Sequence, residues 1–156
     1  MQAADSVRRC PVCNRLTAAA LCGVCADPGR DRSRVCIVEG PADAAALEQS
    51  RAWTGVYFVL HGRVDPLRET GPADLGLEKL FERVRLGEVR EAVLGLSWTP
   101  EGETTAHLLA QALAALQPSL RITRLARGLP SGVELEYTDA PTLAGALRRR
   151  EGAQQP

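Results

Sequence analysis

Cys10-Pro11-Val12-Cys13 and Cys22-Gly23-Val24-Cys25 are two Cys-x-x-Cys pairs separated by eight residues. Four thiolates at that spacing can surround one tetrahedral Zn²⁺ at about 2.3 Å per sulfur. The competing chemistry is a pair of disulfides or a redox couple. No apolar secretion segment precedes the cysteines, so a reducing compartment is expected, where disulfides do not persist. A thioredoxin-like motif needs one such pair after a strand, whereas here two follow each other in a polar lead containing Gly and Arg. One Zn²⁺ per chain, held by Cys10, Cys13, Cys22 and Cys25, is the expectation. The lead's larger apolar residues are Val7, Leu16, Leu21 and Val24, too few to fold it by burial, so the ion would supply its folding free energy. Cys36 falls on an expected strand and reads as a buried small hydrophobe, with no role as a fifth ligand.

The second group with chemical potential is acidic: Glu39, Asp43, Glu101 and Glu103. Clustered carboxylates suit Mg²⁺, which takes one or two of them together with water or a phosphate. Asp43, Glu101 and Glu103 also fall in the first turns of expected helices, where the macrodipole alone stabilises an acid by roughly 0.3 to 1 kcal/mol. Glu39 closes an all-apolar strand, which capping does not explain, so a functional role is expected there. His61 follows the second strand, where proton transfer competes with a plain hydrogen bond to backbone. His107 reads as a surface helix residue. Tyr57 lies in a buried strand and Tyr137 in the tail without a paired base, so neither is a good nucleophile.

The elements that must position these groups alternate. After a polar connector from Ala26 to Ser33, Val35 to Glu39 read as a strand buried on both faces. Pro41 then opens a helix through Ala44 to Glu48. Val56 to Leu60 form a second strand, leading into a loop from His61 to Pro66. A helix runs from about Asp74 to Leu86, with Leu77, Leu80, Phe81 and Val84 at helical spacing and Gly87 as its stop. Glu91 to Ser97 form a third strand. Thr99 can cap and Pro100 open a helix through Leu116, and Leu120 to Ala126 form a fourth strand. Such alternation predicts a three-layer α/β fold with a parallel sheet, in which ligands gather beyond the carboxyl ends of the strands. If the first and third strands are neighbours, the four acids converge on one patch. A Gly/Pro-punctuated tail from Gly128 to Glu136 precedes a last short helix, Pro141 to Arg150.

Composition bounds the rest. With 156 residues and 45% apolar content, the chain supports one compact domain and a small appendage. Nineteen basic and nineteen acidic residues cancel, so the molecule as a whole is no electrostatic glue for nucleic acid. The lead is mildly basic, and Lys79 is the sole lysine among those cations. No apolar run long enough to span a bilayer is present, so a cytoplasmic location without a membrane is expected.

The order of parts resembles the RecR family of bacterial recombination mediators. The carrying blocks are the four cysteines, Val35 to Asp43, Gly55 to Leu60, Glu101-Gly102-Glu103-Thr104-Thr105-Ala106, and Ile122 to Pro130 with Leu135-Glu136-Tyr137. The resemblance implies a lead at 1–9, a C4 zinc finger at 10–25, a Toprim domain at 34–129 and a C-terminal segment at 130–156. It places the Toprim acids at Glu39, Asp43, Glu101 and Glu103. It further implies a non-enzymatic DNA-repair protein that binds single-stranded or gapped DNA, acts with RecO and RecF to load RecA, associates with the nucleoid during repair, and forms a homo-oligomer partly through Leu135-Glu136-Tyr137. The alternatives are a Mg²⁺-dependent, nuclease-like phosphoryl-transfer enzyme, or a degenerate relative that only binds partners. No DNA-binding residue is assigned. The family carries a helix-hairpin-helix ahead of the finger, and nine residues precede Cys10 here. Val64 to Thr70, Ser97-Trp98 and Val133 depart from the usual family residues, which implies altered partner binding at the Toprim surface.

Overall fold

A computed structural model of the chain describes residues 7–62 and 76–153. It divides into two compact units, Met1–Arg124 and Leu125–Pro156. The first begins with a small antiparallel hairpin, β1 (Arg8–Arg9) and β2 (Leu16–Thr17), followed by the one-turn helix α1 (Gly23–Ala26). The sheet follows as β3 (Asp31–Val38), β4 (Gly55–Val59), β5 (Glu91–Gly95) and β6 (Arg121–Arg124), all parallel, in the order β4-β3-β5-β6. The helices between them are α2 (Pro41–Gln49), α3 (Glu78–Arg85) and α4 (Pro100–Leu116). The second unit holds a 3₁₀ turn at Leu135–Tyr137 and α5 (Ala140–Arg148).

The central strand β3 is apolar and buried from Val35 to Val38 because it is hydrogen-bonded on both sides and covered by helices. All five residues of β4 and Ala92 to Leu94 of β5 join that core. On α3, Leu80 and Val84 are buried, one turn apart on one face. Gly87, at φ 78°, takes the left-handed conformation that ends this helix. Thr99 caps α4 by accepting the Gly102 N–H at 3.1 Å, and Pro100 stands at its first turn, as the sequence indicates.

The expected connector ends earlier than its composition suggests, and β3 starts at Asp31. The Asp31 N–H donates to Thr54 O at 2.9 Å, and the register then shifts before Val35. Asp31 Oδ1 accepts both the N–H and the hydroxyl of Ser33, at 3.0 and 2.6 Å. A polar segment is thus carried into the sheet by local side-chain bonds in place of burial. The sequence reading of Asp74 to Leu86 holds from Glu78 to Arg85, while 74 and 75 lie outside the described residues, as do Arg63 to Pro66 and Val64 to Thr70. Among the described residues no helix is long and apolar enough to cross a membrane.

Candidate metal centre and acidic rim

The four cysteine sulfurs lie within 4.8 Å of one another, and all four residues are buried. Cys13 Sγ and Cys22 Sγ are 3.5 Å apart. Sulfurs bound to one tetrahedral ion at about 2.3 Å stand roughly 3.8 Å from each other, so the donor set fits a single thiophilic divalent cation. No cysteine is bonded to another. Backbone N–H groups of Arg15 and Cys25 point at Cys13 Sγ and Cys22 Sγ, each at 3.4 Å, which stabilises thiolate character. Burial pushes the Cys10 thiol up, but hydrogen bonds from the backbone of Cys22, Val12 and Cys13 outweigh it and bring it down to about 6. The hydrogen bond to Cys25 and then burial push Cys13 up, and burial pushes Cys22 up. Four thiolates packed this closely repel, and a cation is what lets all of them ionise. Cys36 lies apart on β3, its thiol pushed up by burial to about 12, consistent with a core residue.

The cysteine cluster is joined to the sheet by Asn14, a residue that motif reasoning passed over. Asn14 is 6% exposed and sits at φ 65°, a left-handed conformation that Asn tolerates better than most residues. Its Nδ2 donates to Val59 O at 3.3 Å, and its Oδ1 accepts from Lys79 Nζ at 2.6 Å. Lys79 also reaches Pro11 O at 3.2 Å. Val59 N donates to Cys13 O at 2.8 Å, so the edge strand β4 ends against the finger. His61 Nε2 lies 2.6 Å from Asn14 O, which makes the histidine a backbone-bonded loop residue as the simpler reading expects. The readable signal was an Asn directly after the second cysteine, a position where the chain must reverse.

The acids stand at the carboxyl end of the sheet. β3 and β5 are paired, with Val38 opposite Gly95, so Glu39 and the loop into α4 leave the sheet side by side. Glu39 Oε1 accepts the Ser97 N–H at 2.9 Å. Asp43 Oδ2 accepts the Gly40 N–H at 3.0 Å, the reach-back half of a capping box at the start of α2, where Gly40 offers no side chain for the other half. Glu101 and Glu103 occupy the first turn of α4. Between them, Gly102 is buried against the loop: a Cβ there would come within 2.2 Å of Ser97 O. Arg124 Nη2 donates to the same Ser97 O at 3.3 Å, and its guanidinium stacks 3.6 Å from the centroid of Trp98. Among the described residues, the cysteines are the one group of three or more potential ligands whose donor atoms converge within 4.8 Å.

Tyr57 is fully buried, and its hydroxyl donates to Glu48 Oε1 at 2.8 Å. Burial and then Glu48 push its pKa well above the ordinary phenol range. His107 and Tyr137 are both exposed, on α4 and in the 3₁₀ turn.

Comparison with known proteins agrees with this layout. A Toprim domain family matches residues 33–126, and the RecR C-terminal family matches residues 128–151. Recombination protein RecR from two strains of Xanthomonas campestris pv. campestris is 47% identical over 148 residues, covering 95% of this chain and 74% of each relative. The chain belongs to the RecR family. The four-cysteine cluster, the Toprim sheet and the RecR C-terminal segment therefore stand in the family's order, and the mixed α/β reading of the sequence agrees with the sheet described above.

Proposed function

We propose that this chain is a DNA-repair and recombination mediator that works without breaking covalent bonds. In this reading it binds single-stranded or gapped DNA, acts with RecO and RecF to promote RecA loading, assembles as a homo-oligomer, and resides in the cytoplasm at the nucleoid. The observation that carries it is the co-occurrence, in one chain, of the cysteine cluster, the Toprim match and the RecR C-terminal match. Zn²⁺ is the proposed ion of the finger, because a buried set of four sulfurs favours a soft, tetrahedral, redox-inert cation. Bound there, it would fix the loops of Cys10 to Cys13 and Cys22 to Cys25 and through Asn14 the end of β4.

The acids Glu39, Asp43, Glu101 and Glu103 are proposed as a partner-binding or Mg²⁺-binding rim. Two-metal phosphoryl transfer needs carboxylates converging on ions about 3.5 to 4 Å apart. Here Glu39 and Asp43 each accept a backbone N–H, of Ser97 and Gly40, which weighs against that chemistry. The exposed Leu135 and Tyr137, at 61% and 79%, support a self-association role for the C-terminal segment.

The test is incubation of the purified chain with plasmid and single-stranded DNA in Mg²⁺, with and without RecO. Partner-dependent binding with intact DNA is expected. Strand cleavage that Glu39→Gln abolishes would overturn the proposal in favour of a Toprim nuclease.

A further inference from the structure

Two cations from the sheet and its helices are committed to the finger, one on each Cys-x-x-Cys turn. Lys79 of α3 donates from Nζ to Pro11 O at 3.2 Å, inside the first turn, and to Asn14 Oδ1 just beyond it at 2.6 Å. Arg32 of β3 donates from Nη2 to Cys25 O at 2.7 Å and to Asp27 O at 3.2 Å, at the end of the second turn. Among the described residues neither cation forms an ion pair with a carboxylate. The Asp27 carboxylate is occupied elsewhere, accepting from Gly29 N at 2.8 Å and standing 3.8 Å from Arg30 Nε. Glu88 lines one cleft with Arg32 and forms no ion pair with it. The anion that both cations flank is the cysteine cluster itself. Four thiolates around one divalent ion leave a centre with a charge of about −2.

We propose that Lys79 and Arg32 are the counter-cations of the four-sulfur metal centre, setting its affinity for the ion and drawing finger and sheet together when the ion is bound. The inference rests on the metal reading of the cysteines. Groups outside the ligand sphere orient and electrostatically tune a metal site, and losing one weakens binding roughly 10- to 100-fold. Both cations are exposed, so screening by water puts each at the lower end, about tenfold. The sulfurs carry their full charge only around an ion, so the attraction is lost with it, and metal binding and seating of the finger are one coupling. The simpler role for both side chains is to cap turn carbonyls. Salt separates the two roles. The Debye length falls from about 10 Å at 0.1 M to about 3 Å at 1 M, which screens charges held apart and leaves a direct hydrogen bond nearly untouched.

The test is competition for Zn²⁺ between the full chain and a chelator of known affinity, at about 0.1 M and about 1 M salt. Lys79→Gln and Arg32→Gln keep an N–H donor and remove the charge. Each weakens Zn²⁺ binding about tenfold at low salt, and most of that loss disappears at high salt. Lys79→Arg and Arg32→Lys keep the charge and most of the affinity. Arg121→Gln makes the same change of net charge on β6, at the opposite edge of the sheet from β4, and leaves the affinity unaltered. Cooperative melting of each metal-loaded variant confirms its fold, and the parent, which needs no substitution, itself binds Zn²⁺ more weakly at high salt. Parent-like affinity in both Gln variants, losses of equal size at the two salts, or an equal loss in Arg121→Gln would overturn the proposal and leave the metal centre standing. A parent chain that takes up no stoichiometric ion would overturn both.

Discussion

Asn14 ties the finger to β4 through its Nδ2 and to Lys79 of α3 through its Oδ1, and no other side chain of its size can serve the same two partners from a left-handed backbone. Asn14→Ala removes both bonds and strains φ, so it should lower unfolding free energy by about 1 to 3 kcal/mol in the presence of metal. Asn14→Gly keeps the permitted backbone and should cost less than Ala by roughly 1 kcal/mol. Urea unfolding of the three proteins measures both differences. Glu48 offers a test through pH. Arg30 first, and the Tyr57 hydroxyl next, hold its carboxyl below the ordinary range. A carboxyl depressed in the folded state stabilises above its unfolded value, about 4.3, and that contribution is lost as pH falls through the folded value. Glu48→Gln should therefore be less stable than the parent at neutral pH by about 1 to 3 kcal/mol and should close the gap in acid, as thermal melting from about pH 3 to about pH 7 would record.

At the scale of elements, the glycine between Glu101 and Glu103 sets how closely α4 approaches the end of β5. Gly102→Ala drives a methyl into Ser97 O, a backbone atom, and into Ser97 Oγ, which is hydrogen-bonded to Thr99 Oγ1 at 2.9 Å, so a loss of roughly 1 to 3 kcal/mol is expected by denaturant unfolding. Since Ser97 N is also the partner of Glu39, the variant should perturb the acidic rim while leaving metal content unchanged. The strands and helices around this rim were legible because their signals are local: apolar runs for β3, β4 and β5, and Thr99-Pro100 for the start of α4. The start of β3 was not legible, since Asp31 to Arg34 are polar and join the sheet through the Asp31 and Ser33 side chains and the Thr54 carbonyl. In the site, the cysteine spacing announced the cluster of four converging sulfurs. The roles of Asn14, Lys79 and Ser97 depend on partners 45, 65 and 58 residues away in sequence, which no short motif encodes.

At the scale of the molecule, the finger and the sheet are coupled through Cys13, Asn14 and β4, so metal loss should reach beyond the cysteines. Removing the ion with a strong chelator, or changing Cys10 or Cys25 to Ser, should abolish stoichiometric metal by elemental analysis. It should also raise amide exchange at the carboxyl end of β4, while β5 and β6 keep their protection. The functional account is tested most directly by RecA loading on gapped, single-strand-binding-protein-coated DNA in the presence of RecO, with RecA ATP hydrolysis as the readout. Addition of this chain should accelerate loading and leave the DNA intact, and Glu39→Gln should reduce the acceleration. Unchanged loading, or DNA cut in a Glu39-dependent manner, would contradict the account.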